Sequence, residues 1–468
     1  MKKRVLIVLL VVILLVLGIK TITDKKSEND EAYNNAMKAA EEDIKNGLYG
    51  DAYVNFLKAL QCRESKELRC KMIESLAYVE EFKAVENEMD AFLEKYPQDP
   101  EPYEYLCLYS AHINDISEIY KYADTMKKRG IKSDIVDELC EKHKYDYNEK
   151  TSKFVEVDPF YYGHSRVKSK SGLYGYINTG GDVVIEPQYD LAVADTGVGY
   201  LLVSKNQYEK NVSFELIDRV EKANVFTDTA LSEVKFGTFF VDYNGAKKIV
   251  DKQRRGMIFD DIQGYGSGMM AVCENGMYRY VDSNFDTVDD EKKYLFAGVF
   301  HQGVAPVMTS SGWMIIDEKQ NRVGNDYFEK IRLNEANIAV NDGVFFGLNS
   351  NGWGLYSSDG TQITQDSYED CCCANGSKEP IAVKKAGKWG FINASGETVL
   401  DFQYDGARSF SNGVAAVEVD GLWGMITPEN KMIVEPQYLM AYDLTSNGVI
   451  PVETKDGWTL LEFYSMHK

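Results

Sequence analysis

Three patterns of apolar and polar positions follow one another along the chain. Val5 to Ile19 is an unbroken apolar run behind three basic residues, Lys2, Lys3 and Arg4. From about Glu31 to Tyr147 apolar residues recur at three- and four-residue steps, the period of one buried helix face. From 164 to 468 the chain reads as short runs such as IAVKKAG, KWGFIN and ETVLD, bounded by Gly, Asn, Asp or Ser. Runs of that kind predict antiparallel strands joined by tight turns. The expected organisation is one apolar helix, an all-α array and an all-β array.

The β array repeats itself. KWGFINASGETVLDFQYDGARSFSNGVAAVEVDG is followed at once by LWGMITPENKMIVEPQYLMAYDLTSNGVIPVETKDG. Counting the aromatic after a glycine turn gives Tyr174, Phe239, Tyr278, Trp313, Trp353, Trp389, Trp423 and Trp458, with gaps of 65, 39, 35, 40, 36, 34 and 35 residues. The long first gap contains SFELIDRVEKANVF around Phe214, which reads either as a further copy or as an insertion. Seven residues after the aromatic, Gly181, Gly360, Gly396 and Asn430 recur where a hairpin demands positive φ, and Gly245 sits one residue early.

Three or four strands in about 35 residues is the content of one propeller blade, and a sheet so small must bury its face on a neighbour. The expectation is therefore a β-propeller of about seven blades, with an open β-solenoid as the alternative. HSRVKSKSGLYGYI looks like the second half of a unit, its missing strand supplied by GVIPVETKDGWTLLEFY at the C-terminus.

GKWGFINASGETVLDFQYD, GLWGMITPENKMIVEPQY, NGWGLYSSDG and GLYGYINTGGDVVIEPQYD resemble the bacterial WG repeat family across roughly 164–468. Met314 and Thr459 stand where that pattern has the glycine after Trp313 and Trp458. The resemblance implies a β repeat module that mediates binding, with no shared catalytic residues.

In the helical array, Tyr49, Ala52, Phe56 and Ala59 mark one apolar face, Phe82, Val85, Met89 and Phe92 a second, and Ile116, Ile119, Ala123 and Met126 a third. The steps from Ala52 to Val85 and from Val85 to Ile119 are 33 and 34 residues, and Pro97 stops the middle helix. This period resembles tetratricopeptide (TPR) repeats over three units, with generic helical hairpins as the alternative. Either gives a concave surface suited to peptide or protein segments.

Fifteen apolar residues reach about 22 Å as a helix, short of a hydrocarbon core of about 30 Å. Ile22, with Arg4 and Lys20 snorkelling, closes most of the difference. Residues 1–22 are read as an uncleaved signal anchor, because GIKTITDKK offers no small-x-small site; a cleaved secretory signal is the alternative. Lys2, Lys3 and Arg4 then stay cytoplasmic and the bulk of the chain lies outside the cell membrane. The expected boundaries are a linker at 23–30, TPR-like helices at 31–148, a second linker at 149–163 and the WG-repeat domain at 164–468.

A 468-residue chain with 44% hydrophobic content has room for two or three domains. Its net charge of −21 disfavours nucleic acid and anionic headgroups as partners and is compatible with cationic peptides or a wall polymer.

The chemistry is mostly negative. His112, His143, His164, His301 and His467 are scattered, with no HExxH helix and no GxSxG elbow. GYGSGM at Gly264–Met269 lacks the P-loop lysine and aligns with the SFSNGV turn. DSNFDTVDD starts like a calcium loop at Asp282, Asn284 and Asp286, but Thr287 and Lys293 replace the required glycine and glutamate. Cys62, Cys70, Cys107 and Cys140 fall on predicted helices, and Cys140 with His143 lacks a second ligand pair. Cys371, Cys372 and Cys373 lie in the loop-like SYEDCCCANGSKEP, a divergent blade turn or a thiol or soft-metal site. Tyr189, Tyr404 and Tyr438, in the Q-Y element, are expected to pack between blades.

No catalytic, cofactor or metal residue is assigned from sequence, and no binding residue either. The functional expectation is a membrane-anchored, non-catalytic scaffold that binds protein or peptide partners through both arrays. The alternative is an envelope enzyme acting on wall polymers through paired carboxylates in a propeller pocket.

Overall fold

A computed structural model describes residues 28–79, 82–150, 154–160, 162–192, 195, 200–205, 214–218, 224–228, 261–282, 286–365, 367–376 and 378–466. The chain divides into two compact units, Met1–Asp146 and Tyr147–Lys468. No helix among the described residues is long and apolar enough to cross a membrane, and the apolar run of residues 1–22 lies outside them.

The first unit is a stack of helical hairpins: α1 (28–45), α2 (Tyr49–Cys62), α3 (Lys66–Tyr78), α4 (Phe82–Lys95), α5 (Glu101–His112), α6 (Ile116–Arg129) and α7 (Asp134–Lys142). Their starts are set by side chains that satisfy free amides: Ser65, Asp115 and Ser133 accept from the N–H of Leu68, Glu118 and Val136. Gly130, at φ +70°, ends α6. The apolar stripes face inward as expected, with Ala52, Phe56 and Ala59 on α2, Val85, Met89 and Phe92 on α4, and Ile116, Ile119 and Met126 on α6 all buried. Helix α3 packs on α2, α4 and α5, and α5 packs on α6 and α7.

The second unit holds eight antiparallel sheets among the described residues. Sheet 1 runs Glu156–Val157, His164–Lys168, Tyr174–Asn178 and Val183–Tyr189, and sheet 2 runs Leu191–Ala192, Tyr200–Ser204, Phe214–Asp218 and Asn224–Asp228. Phe214 thus heads the third strand of its own sheet, so the region around it is a copy of the repeat and not an insertion. Phe239 and Gly245 lie outside the described residues. Sheets 3 to 7 follow in chain order, beginning at Asp261, Phe296, Lys330, Asp370 and Gly406.

Sheet 8 contains Met440–Ala441, Val449–Thr454 and Gly457–Phe463, and its outer strand is Tyr147–Glu149 from the start of the unit. The first and last units are therefore joined in the opposite sense to the one expected. Sheet 1 is complete in itself, and the N-terminal strand completes the last sheet. The stretch 149–163, expected to be a linker, is built into this junction through Phe154, which bridges Trp458, and through the strand Glu156–Val157.

Phe154 and, from the first sheet, Val157, Val167 and Ile177 share one core with Val449, Trp458 and Leu460 of the last. The Thr445 hydroxyl donates to the Thr179 carbonyl (2.7 Å), and Asn447 donates to the Thr179 hydroxyl (2.9 Å). An open solenoid keeps its ends apart, so this contact makes the array a closed β-propeller. Within the ring, Tyr189 and Tyr404 are buried in the cores shared by successive sheets, as expected for the Q-Y element.

The glycine after the tryptophan has a different cause from the turn glycines. Gly181, Gly360 and Gly396, and Asn430, have φ of +75°, +83°, +82° and +64°, in accordance with the hairpin reading. Gly175, Gly390 and Gly424 have no positive φ. Each lies opposite an irregularity in the outer strand, where Tyr174 pairs with Tyr189 but Tyr176 with Ile185. The same shift recurs from Trp389 to Phe391 and from Trp423 to Met425.

The outer strand bulges over the glycine, and a Cβ there would sit 2.4, 2.9 or 2.5 Å from the carbonyl oxygen of Ile185, Leu400 or Val434. Sheets 4 and 8 carry Met314 and Thr459 at this place although their outer strands also step ahead, Trp313 pairing with Phe328 but Ile315 with Val323, and Trp458 with Phe154 while Leu460 accepts from the Lys150 amide. The Thr459 hydroxyl donates to the Lys150 carbonyl at 2.7 Å.

The axial arginine face as a candidate binding site

Each described sheet except the third begins with a two-residue strand, and the residue after that strand occupies an equivalent place in every unit: Asp158, Gly298, Arg332, Cys372, Arg408 and Tyr442 among the described residues. These positions face the ring axis, since contacts there skip a sheet. Glu335, from sheet 5, reaches Arg408 of sheet 7. Asn337, also from sheet 5, donates to Gln263 of sheet 3 at 2.5 Å. The Tyr162 hydroxyl of sheet 1 lies against Gly264 of sheet 3.

Three arginines lie on this face, each with its guanidinium carbon within 5.5 Å of an aromatic ring centre and paired with a carboxylate. The Arg408 Nε donates to Asp443 Oδ1 (2.6 Å) and its Nη2 to Asp443 Oδ2 (3.0 Å), and the guanidinium lies 5.5 Å from the Tyr442 ring centre. Nη2 also reaches Glu335 Oε1 at 3.4 Å. Arg332 pairs with Asp370 and lies 4.7 Å from the Trp353 ring centre, while its buried Nε has no hydrogen-bond partner.

Arg166 contacts Asp158 Oδ2 at 2.9 Å, donates Nη1 to the Ala192 carbonyl at 3.0 Å and lies over Tyr174. Burial opposes the Arg408 charge, and the Asp443 carboxylate overcomes it and holds the pKa above the ordinary value. Two-point ion pairing and stacking are what arginine offers and lysine does not.

The cysteine triplet belongs to this face and not to a peripheral loop. Asp370–Cys371 is the innermost strand of sheet 6, and Cys372 and Cys373 begin the axial connection. Burial pushes the thiols of Cys371 and Cys373 up and that of Cys372 to about 11, in the last case against the pull of Arg408. Protonated thiols are poor nucleophiles and poor ligands. The Cys372 thiol donates to the Ala407 carbonyl at 3.5 Å, and all eight cysteines are free.

Among the described residues no group of three or more His, Cys, Asp and Glu side chains is arranged to hold a metal. His143 Nδ1 meets Asp146 Oδ2 at 2.7 Å, and Asp282 accepts the amide of Asp286 within its own hairpin turn. Ser267 and Gly268, at φ +49° and +79°, form a turn like Asn412–Gly413, so GYGSGM is a repeat turn.

Arg332 and Arg408 were not singled out from sequence, although a signal was present. Each follows the aromatic that closes the preceding unit, Phe328 or Tyr404, by four residues. Only the folded ring shows that this offset is axial.

The helical unit carries a separate groove of about 790 Å³, lined by Lys66, Tyr96, Asp99, Glu101, Tyr105, Leu108 and Ile135 among others. Lys66 bridges Asp99 (2.6 Å) and Glu101 (2.9 Å), leaving Leu108 and Ile135 as exposed apolar contacts.

Three stretches, 174–208, 389–423 and 423–458, match the model of the WG containing repeat. The chain carries WG repeats. Each matched stretch begins at the aromatic of a unit whose outer strand bulges over the glycine that follows, Gly175, Gly390 or Gly424. No curated protein matches the chain.

Among solved structures, the WG-repeat ring is similar to the β-propeller domain of the Trilobed protease from Pyrococcus furiosus, described as having an open velcro topology. The two are 12% identical, with 61% of this chain and 99% of that one covered and a TM-score of 0.33. An uncharacterized protein from Listeria monocytogenes EGD-e gives 10% identity, 60% and 94% coverage and a TM-score of 0.34. The WD40 domain of SCAP from fission yeast gives 7%, 69% and 96% with a TM-score of 0.35.

Proposed function

We propose that the chain is a non-catalytic binding protein, a scaffold that holds protein or peptide partners through the axial face of its WG-repeat propeller and the groove of its TPR-like helices. One observation carries this reading. The axial face gathers arginines that lie over aromatic rings, are paired with carboxylates and are permanently charged, an arrangement that recognises a partner group without offering acid–base chemistry. An envelope hydrolase acting on wall polymers would need two carboxylates free to trade protons across a substrate. Asp158, Asp370, Asp443 and Glu335 are each bound to an arginine instead.

The apolar run Val5–Ile19, behind Lys2, Lys3 and Arg4, supports a single-pass signal anchor with both arrays on the outer side of the cell membrane. Crosslinking pulldown from native membranes, comparing the full chain with one lacking 147–468, is expected to recover a distinct partner only with the full chain. Recovery of none would contradict the scaffold reading. Protease added to intact cells should digest both arrays; full protection would contradict the external placement.

A further inference from the structure

Arg408 is already oriented by Asp443, yet a second carboxylate meets its Nη2, the nitrogen that also serves Asp443 Oδ2. That carboxylate, Glu335, does not come from the neighbouring sheet. It is carried by the turn 334–338 within the connection 332–343, which is longer than its counterpart 408–413 in sheet 7. The turn is well made: the Asn334 N–H donates to the Ile338 carbonyl (2.9 Å), and Asn334 Oδ1 accepts from the N–H of Ala336 and Ile338 at 3.0 Å each. Asn337 of the same turn ties it to Gln263 across the axis.

The hold of Glu335 on Arg408 is loose by comparison, at 3.4 Å with the glutamate side chain 45% exposed. An exposed pair of that geometry is easily exchanged.

We propose that the axial face binds an acidic peptide segment, and that Glu335 occupies Arg408 as an internal stand-in for the carboxylate of that segment. The inference rests on the binding reading above and names the chemistry of the partner. The group Arg408 now holds is a glutamate presented on a backbone turn, which is how a partner's acidic loop would present one. Arg332 supplies a second cation on the same face, close enough that both arginines act on the Cys372 thiol. With the whole chain at −21 and each axial arginine already paired with an aspartate, an acidic segment gains its place by exchange with Glu335 at Arg408 and not by net attraction.

Titration of the full chain with a fluorescent hexaglutamate peptide tests this, with hexalysine peptide and free glutarate as the other arms. Hexaglutamate is expected to bind, and Glu335→Gln, on an exposed turn, is expected to tighten it about threefold to fivefold by removing the internal competitor. Arg408→Lys, which keeps the charge and loses the fork, is expected to weaken it by about tenfold or more.

Unchanged or weaker binding in Glu335→Gln would overturn the proposal even if Arg408→Lys does not fold. So would hexalysine binding as tightly as hexaglutamate, or glutarate binding as tightly as the peptide. A partner recovered by crosslinking that hexaglutamate fails to displace would overturn this inference and leave the scaffold reading standing. The absence of any partner would overturn both.

Discussion

Gly424→Ala is expected to destabilise the propeller by about 1–3 kcal/mol, measured by urea unfolding with tryptophan fluorescence. The new methyl carbon would lie 2.5 Å from the Val434 carbonyl oxygen and 2.9 Å from the Pro436 nitrogen, both backbone atoms that cannot turn aside. Gly421, three residues earlier, is the informative control. Its φ is +82° and nothing lies within 4 Å of its added Cβ, so Gly421→Ala meets only the left-handed backbone cost of about 1–2 kcal/mol.

Asparagine tolerates that backbone region, so Gly421→Asn should recover part of the loss, whereas Gly424→Asn should recover none. If Gly424→Ala costs less than about 0.5 kcal/mol, the bulge does not press on the glycine and the account of the motif is wrong.

The second large effect concerns the closure of the ring. Phe463 is fully buried, lies opposite Tyr147 in the last sheet and packs its ring 5.6 Å from the tyrosine ring. Phe463→Ala is expected to cost about 3–5 kcal/mol and to loosen the N-terminal strand selectively. The readout specific to closure is hydrogen exchange at the Lys150 amide, which donates to the Leu460 carbonyl at 2.9 Å.

Phe391→Ala, an equally buried ring inside sheet 6, should lower global stability by a similar amount without singling out that amide. Identical exchange at Lys150 in the two variants would mean that the strand Tyr147–Glu149 does not fasten the ring.

The architecture was legible because strand alternation, turn glycines and apolar helix stripes are local. Ala52, Val85 and Ile119 could be matched along the chain, and so could Gly181, Gly360 and Gly396. The misread features depend on what lies across a strand or across the ring. The reason for the glycine after the aromatic is hidden until the three-residue excursion from Ile185 to Tyr189 is seen to pass over Gly175.

The junction of first and last units was expected from GVIPVETKDGWTLLEFY completing the first blade, because nothing local reveals that Tyr147–Glu149 is itself a strand. The axial face was the least legible part. Arg408 and Glu335 are 73 residues apart and meet only because alternate connections lean over one axis. Cys371, Cys372 and Cys373 attracted notice for their chemistry, yet their place beside the arginines follows from the unremarked Asp370–Cys371 strand.

The central claim, that the axial face is the working surface of the WG-repeat propeller, is tested most directly by repeating the crosslinking pulldown with Arg332→Gln/Arg408→Gln in the full chain. Circular dichroism would first establish that the fold is kept. The account predicts that the partner recovered by the native chain is lost from the folded variant; its retention at native yield would contradict the claim.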